Sequence, residues 1–187
     1  MSVSKTKPFL KTLDLAYIAI GAVLIAICSW ISIPTTVPFT LQTFAVFFVL
    51  SLLGGKRGTI SVLIYILLGA VGLPVFAQFT AGLGILLGMT GGYIVGFIFI
   101  GLIYWLAVSL FGKKLWVQIV SLLLGLAICY AFGTFWFMTV YAKQSGAIGL
   151  ATALSWCVIP FILPDLAKLG LALVLSRRLT PVLKLNR

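Results

Sequence analysis

The sequence predicts an all-α integral membrane protein with six transmembrane helices. The chain is 63% hydrophobic and 8% charged, whereas soluble domains are about 25% charged. Long apolar runs recur from end to end, and basic residues gather in alternate connections between them. We therefore expect one membrane domain over residues 1–187, with 1–12 a cytoplasmic segment, 13–178 a six-helix bundle and 179–187 a basic cytoplasmic tail.

Six apolar segments define the expected helices. They cover residues 13–33, 41–53, 59–73, 91–111, 115–141 and 149–176. The second and third have only 13 and 15 residues, whereas a simple span needs roughly 20. They can still cross if the bilayer thins locally or if neighbouring helices cover their ends. A charged turn at residues 54–58, GGKRG, is expected to separate them.

The basic residues predict how the chain is oriented. Of its 13 Lys and Arg residues, 11 lie before the first segment or after the second, fourth and sixth. The other connections carry only Lys143, and Lys168 lies inside a span. Cytoplasmic loops carry the Lys and Arg excess. We therefore expect a multi-pass protein of the plasma membrane, with both termini in the cytoplasm.

The composition excludes several kinds of chemistry. The chain has no His, so it cannot form a Ser-His-Asp or Cys-His arrangement. Asp14 and Asp165 are its two acids, and the cysteines at 28, 129 and 157 are isolated in apolar runs. No GxxxxGK[ST] phosphate loop is present, and no basic face could follow a nucleic acid. We expect no enzyme, no metal and no cofactor.

One apolar run contains an acid and a base. Residues 157–175 read CVIPFILPDLAKLGLALVL, with Asp165 and Lys168 three positions apart. That spacing places both side chains on one helix face. Charges at such depth are costly, and they usually face a bundle interior or a cavity. The pair is either the polar floor of a ligand cavity or a closed ion pair that fixes helix packing.

Two further patterns concern the uncharged connections and the first helix. Residues 72–91 are apolar and rich in Gly, which indicates a lid over the bundle or a re-entrant packing segment. Small polar and aromatic residues surround the expected mouth of the cavity: Phe39, Thr40, Gln42, Thr43, Phe79 and Tyr93.

On the first helix, Ala22 and Ala26 form a strip of small residues, which is suited to internal packing or to docking of a partner subunit.

Four stretches together resemble the BioY family, the biotin-specific S components of energy-coupling-factor (ECF) transporters. They are VPFTLQT at 37–43, GAVGLPVFA at 69–77, TGGYIVGF at 90–97 and PFILPDLAK at 160–168. The resemblance covers roughly residues 14–178. It implies a six-helix subunit that captures biotin from the outer side. The partners implied are a transmembrane coupling subunit and two ATPases, which alone would use ATP.

The resemblance also gives expected roles for individual residues. Substrate contacts are expected from Asp165, Lys168, Phe39, Thr43, Gln78, Phe79, Tyr93 and Met89. The Ala22 and Ala26 strip is expected to dock the coupling subunit. Biotin has a ureido ring with two N–H donors and one carbonyl acceptor. Asp165 would accept from an N–H, and Lys168 would donate either to the carbonyl or to the valerate carboxylate.

Two other functions are compatible with the pattern. The first is an ion-coupled secondary carrier for another small solute, with Asp165 as its protonation site. Inverted repeats would favour that function, but the first three segments differ in length from the last three. The second is a structural membrane subunit without a ligand, which would tolerate joint removal of Asp165 and Lys168.

Overall fold

The computed structural model describes residues 12–35 and 37–182, which are mainly helical. The helices are α1 (Thr12–Trp30), α2 (Gln42–Leu53), α3 (Gly55–Ala70), α4 (Leu83–Leu87), α5 (Gly91–Phe111), α6 (Leu115–Ser145), α7 (Leu150–Cys157) and α8 (Ile159–Leu179). Two short strands are β1 (Ser32–Ile33) and β2 (Phe39–Thr40), and a 3₁₀ turn covers Ala77–Phe79. Residues 1–11 of the predicted cytoplasmic segment at 1–12, and residues 183–187 of the predicted basic tail at 179–187, lie outside the described residues.

The all-helical membrane class predicted from the sequence is confirmed. In the described part of the chain, four helical stretches are long and apolar enough to cross a bilayer: Thr12–Trp30, Gly91–Phe111, Leu115–Ser145 and Leu150–Leu179. The helices α2 and α3 are shorter, with 12 and 16 residues. A count of six spans therefore remains a prediction.

Helix α2 lies at the centre of the bundle. It contacts α1, α3, α5 and α8. Its side chains from Ala45 to Leu50 are all buried. A helix that is apolar all round is stable when neighbours cover every face. The sequence indicates that neighbouring helices have to cover so short a segment, and the surrounding helices do so.

Several helix ends differ by a few residues from the predicted segments, and two differences change how the helices are arranged. The turn expected at residues 54–58 is reduced to Gly54, whose φ of 84° lies in the left-handed region that glycine tolerates. Helix α3 can therefore begin at Gly55. The predicted segment 149–176 is two helices, because Val158 is non-helical at φ −126° and ψ −56°. A proline is favourable at the start of a helix, and Pro160 lies there in α8.

The uncharged connections are ordered around one end of the bundle. Strands β1 and β2 form an antiparallel hairpin that pairs Ser32 with Thr40. We call residues 72–90 the cap segment. Its backbone is held by two indoles: Trp30 Nε1 donates to the Pro74 carbonyl at 2.9 Å, and Trp136 Nε1 donates to the Gly88 carbonyl at 3.0 Å. The cap segment is therefore packed onto the bundle and is not a solvated loop.

The cap segment also depends on close contact with α3. An added Cβ at Gly69 would lie 2.0 Å from the ring of Phe76. The Phe76 side chain is fully buried, and the Gly69 carbonyl accepts from Gly82 N–H at 2.7 Å. Only glycine leaves room for this ring.

Gly69→Ala is expected to lower the free energy of unfolding by about 1–3 kcal/mol, because the Phe76 ring must move. Thermal unfolding in detergent measures this loss. Gly170→Ala is the matched control, since no described heavy atom beyond its neighbours and its own helix backbone lies within 4 Å of the added Cβ. Equal melting temperatures for the two variants would contradict the packing described here.

Candidate ligand-binding site

A cavity of about 210 Å³ lies between the hairpin, the cap segment and the helices α2, α5, α6 and α8. Its apolar wall includes Phe76, Ile85, Tyr93, Ile94, Phe97, Leu126 and Phe161. Its polar lining includes Thr40, Gln42, Thr43, Gln78, Tyr130, Asp165 and Lys168. A mainly apolar wall with a few placed polar groups is typical of small-molecule sites.

The acid and the base predicted from the sequence form an ion pair at this cavity. Lys168 Nζ lies 2.8 Å from Asp165 Oδ1, and the two residues are one helical turn apart on α8. Asp165 is 2% exposed and Lys168 is 7% exposed. Buried charges need both a partner and further hydrogen bonds.

Asp165 receives those further hydrogen bonds from two hydroxyl groups. Thr43 Oγ1 on α2 donates to Asp165 Oδ1 at 2.8 Å. Tyr130 OH on α6 donates to Oδ2 at 2.6 Å. A carboxylate offers about four acceptor positions. With Lys168 as the third donor, one position is left for a ligand.

Lys168 is fully engaged by its own chain. In addition to Asp165, its ammonium donates to the Thr40 carbonyl at 2.7 Å and to Thr43 Oγ1 at 3.1 Å. It also lies 4.3 Å from the ring centre of Phe39, within cation–π range. An ammonium has three donors. A ligand can therefore bind Lys168 only by replacing one of these bonds.

The two alternatives left open for Asp165 and Lys168, a closed ion pair and the polar floor of a cavity, are not mutually exclusive. The two side chains form an ion pair with each other, and they also line the cavity next to the hairpin and α2. Thr43 accepts from Lys168 and donates to Asp165, and Tyr130 also donates to Asp165, so the four side chains form one connected network. This network joins α2, α6 and α8 around the polar floor.

Five of the eight predicted substrate-binding residues line the cavity: Thr43, Gln78, Tyr93, Asp165 and Lys168. Three do not. Phe79 is 62% exposed and stacks on Trp30 at 4.9 Å. Phe39 stacks on Phe161 at 5.8 Å, behind the cavity wall. Met89 packs against a separate cluster that contains Tyr93 and Phe137.

The position of Phe79 has a backbone cause. Gln78 and Phe79 both have a φ of 57°, in the left-handed region. Gln78 lines the cavity while Phe79 faces outward against Trp30. The sequence did not predict these left-handed dihedrals, because such a conformation is expected mainly at glycine and neither residue is a glycine.

Tyr130 is the principal site residue that the sequence did not suggest. It lies in the apolar run of α6, 35 positions before the acid to which it donates. No local motif marks it. Cys129 and Cys157 also line the cavity as free thiols. Within residues 12–35 and 37–182, no three His, Cys, Asp or Glu side chains come together as metal ligands.

The predicted docking strip on α1 lies inside the fold. Ala22 is 1% exposed and Ala26 is 6% exposed, and both belong to the hydrophobic core. Their neighbour Gly21 packs closely on Ser61 of α3. Internal packing, the alternative that the sequence left open, describes these two residues.

Comparison with known proteins gives the family. The BioY family model matches residues 2–185. The chain belongs to the BioY family. This agrees with the resemblance found in the four sequence stretches. BioY relatives are named as transporters, which places the chain among transport proteins and not among enzymes.

Individual BioY relatives cover most of the chain. The Biotin transporter BioY of Thermotoga maritima is 42% identical over 83% of this chain and 89% of its own length. A probable biotin transporter BioY of Pyrococcus horikoshii is 36% identical over 91% of this chain and 98% of its own. A crystal structure of the S-component for biotin from an ECF-type ABC transporter superposes with a TM-score of 0.79, at 30% identity over 93% of this chain and 94% of that one.

Proposed function

We propose that this chain is a biotin-binding S component, the substrate-capture subunit of an ECF transporter. The decisive observation is the buried network of Asp165, Lys168, Thr43 and Tyr130 at the floor of an apolar cavity. The similarity to the solved S-component for biotin supports the choice of ligand.

The chemistry of biotin matches the cavity in two parts. Its ureido ring needs an acceptor for an N–H, and Asp165 has one acceptor position left after its three internal bonds. Its thiophane ring and aliphatic chain need apolar cover, which Phe97, Leu126 and other wall residues supply. We infer that the ureido head lies against Asp165.

Calorimetric titration of biotin into the purified protein tests this function. We expect a single site, and no heat from a hydrophilic control solute of similar size. The biotin methyl ester is a second probe: if Lys168 holds the carboxylate, the ester binds more weakly than biotin, and if it holds the ureido carbonyl, the two bind alike. Absence of biotin binding at micromolar concentration in a folded sample would refute the proposal.

The partners and the orientation belong to the same proposal. A transmembrane coupling subunit and two ATPases would supply the energy, and both termini would lie in the cytoplasm of a plasma-membrane protein. The structure groups Lys56, Arg57, Lys113 and Arg177 at one end, away from the cavity, as the positive-inside rule requires. Reporter fusions at each terminus test the orientation.

The energy source separates an S component from an ion-coupled carrier. Liposomes that contain this chain and an ECF module should take up biotin when ATP is supplied to the ATPases. Liposomes that contain this chain alone should not accumulate biotin under an imposed pH gradient. Accumulation driven by the gradient alone would favour the carrier with Asp165 as its protonation site.

Tyr130→Phe is expected to weaken biotin binding by about 10-fold to 100-fold. The variant removes one hydrogen bond to the buried carboxylate, and bonds to charged groups contribute about 1.5–3 kcal/mol. Titration calorimetry measures the loss. Tyr141→Phe is the control, because Tyr141 lies on the same helix and is not among the residues that line the cavity. An unchanged affinity in Tyr130→Phe would remove Tyr130 from the site.

A further inference from the structure

A second cavity lies at the end of the bundle away from the biotin cavity. It has a volume of about 440 Å³ and is formed where α1, α3 and α5 end or begin. Among the described residues, three cations line it: Lys56, Arg57 and Lys113. Asp14 is the one acid among the described residues of its wall, so this part of the lining has a formal charge of +2.

Two of the cations reach this cavity from different parts of the chain. Arg57 is fixed by an ion pair with Asp14 at 2.6 Å and lies 6.0 Å from the ring centre of Tyr17. Lys113 comes from the connection between α5 and α6. A Cβ built at Gly54 would lie 3.4 Å from Lys113 Nζ, so this ammonium lies over the start of α3. The start of α3 and the connection between α5 and α6 thus bring their cations to the same cavity.

Apart from Ser109 and two glycines, the remaining wall of the cavity is apolar. Leu53, Trp105 and Val108 contribute to it. From there an exposed stripe follows α5, with Leu102, Leu106 and Leu110 at 45%, 62% and 65% exposure. The stripe belongs to a helix that is long and apolar enough to span a bilayer. A tryptophan beside the end of such a helix is typical of the headgroup level.

We propose that this cavity binds the phosphate of an anionic phospholipid, with the acyl chains along the α5 stripe. The positive lining selects a negatively charged headgroup, since basic pockets between helices recognise anionic lipids. The adjoining apolar wall and stripe favour a lipid over a free anion, because a lipid can use the cations and the apolar surface together, whereas a soluble phosphate can use only the cations. This inference does not depend on the ligand of the other cavity.

Lipid binding to the delipidated protein, measured by native mass spectrometry, tests the proposal. The probes are phosphatidylglycerol, phosphatidylcholine and inorganic phosphate. We expect phosphatidylglycerol to bind more tightly than phosphatidylcholine. Lys113→Gln should weaken the binding of phosphatidylglycerol about fivefold, which is the contribution expected from one cation near a lipid surface. Lys114→Gln is the matched control, because Lys114 is the next residue and does not line the cavity.

Three results would overturn the proposal. If Lys113→Gln and Lys114→Gln lose the same affinity for phosphatidylglycerol, the lipid is attracted by diffuse surface charge and not by a specific site. Equal binding of the two lipids would mean that charge is not recognised. Displacement of phosphatidylglycerol by millimolar inorganic phosphate would assign the site to a free anion. Lys56→Gln gives an independent variant, and its loss should match that of Lys113→Gln in direction.

Discussion

Replacing Asp165 by asparagine is expected to weaken biotin binding about 100-fold or more. Asn keeps the shape of the side chain but removes the charge that faces Lys168 at 2.8 Å. A ureido N–H that is left buried without its charged acceptor costs about 3 kcal/mol, and each 1.4 kcal/mol is a tenfold change in affinity. The variant also replaces an acceptor oxygen with a donor amide, which cannot accept from Tyr130 or from a ureido N–H in the same place.

Titration calorimetry on folded Asp165→Asn protein measures this effect. Asp14→Asn is the matched control, since Asp14 is the other acid of the chain and pairs with Arg57 at the opposite end. We expect the control to bind biotin like the unmodified protein. If Asp165→Asn retains full affinity, the ligand does not lie at this acid, even if the protein binds biotin elsewhere.

The second large effect concerns Lys168. Lys168→Met is expected to lower the free energy of unfolding by about 3–5 kcal/mol, because Asp165 is then buried without its counter-charge. The variant also removes the bonds from Lys168 to Thr40 and Thr43. Denaturant unfolding in detergent measures the loss. Lys143→Met, at an exposed lysine in the last turn of α6, should change little.

The double variant Asp165→Asn/Lys168→Met separates stability from function. Replacing both members of a buried ion pair is often close to neutral, so most of the lost stability should return. Biotin binding should not return, because the acceptor for the ureido ring is still absent. A double variant that binds biotin normally would mean that the pair has a purely structural role.

The sequence predicted the features that depend on local spacing and composition. Asp165 and Lys168 are three positions apart in an apolar run, and that spacing alone placed them on one face. The alternation of basic connections predicted that Lys56, Lys113 and Arg177 would lie at one end. The helical class followed from the apolar runs. Each of these predictions uses residues within one helix or the charge of successive connections along the chain, and none needs a contact between distant segments.

The rest depends on contacts between distant segments. Tyr130 reaches Asp165 from another helix, and nothing near position 130 distinguishes it from a lipid-facing tyrosine. The outward direction of Phe79 depends on left-handed dihedrals at two residues that are not glycine. Ala22 and Ala26 could pack inward or outward by size alone, and only the packing of α1 on α2 and α3 decides between the two.

The polar floor also fixes when the site can form during synthesis. Thr40 and Thr43 are separated from their partners on α8 by 128 and 122 positions. Ribosomal synthesis delivers the hairpin and α2 well before α8. The hairpin therefore does not have Lys168 to hold it until α8 has been inserted. A nascent chain truncated before α8 would contain most of the cavity wall, yet it would have no means of retaining a ligand.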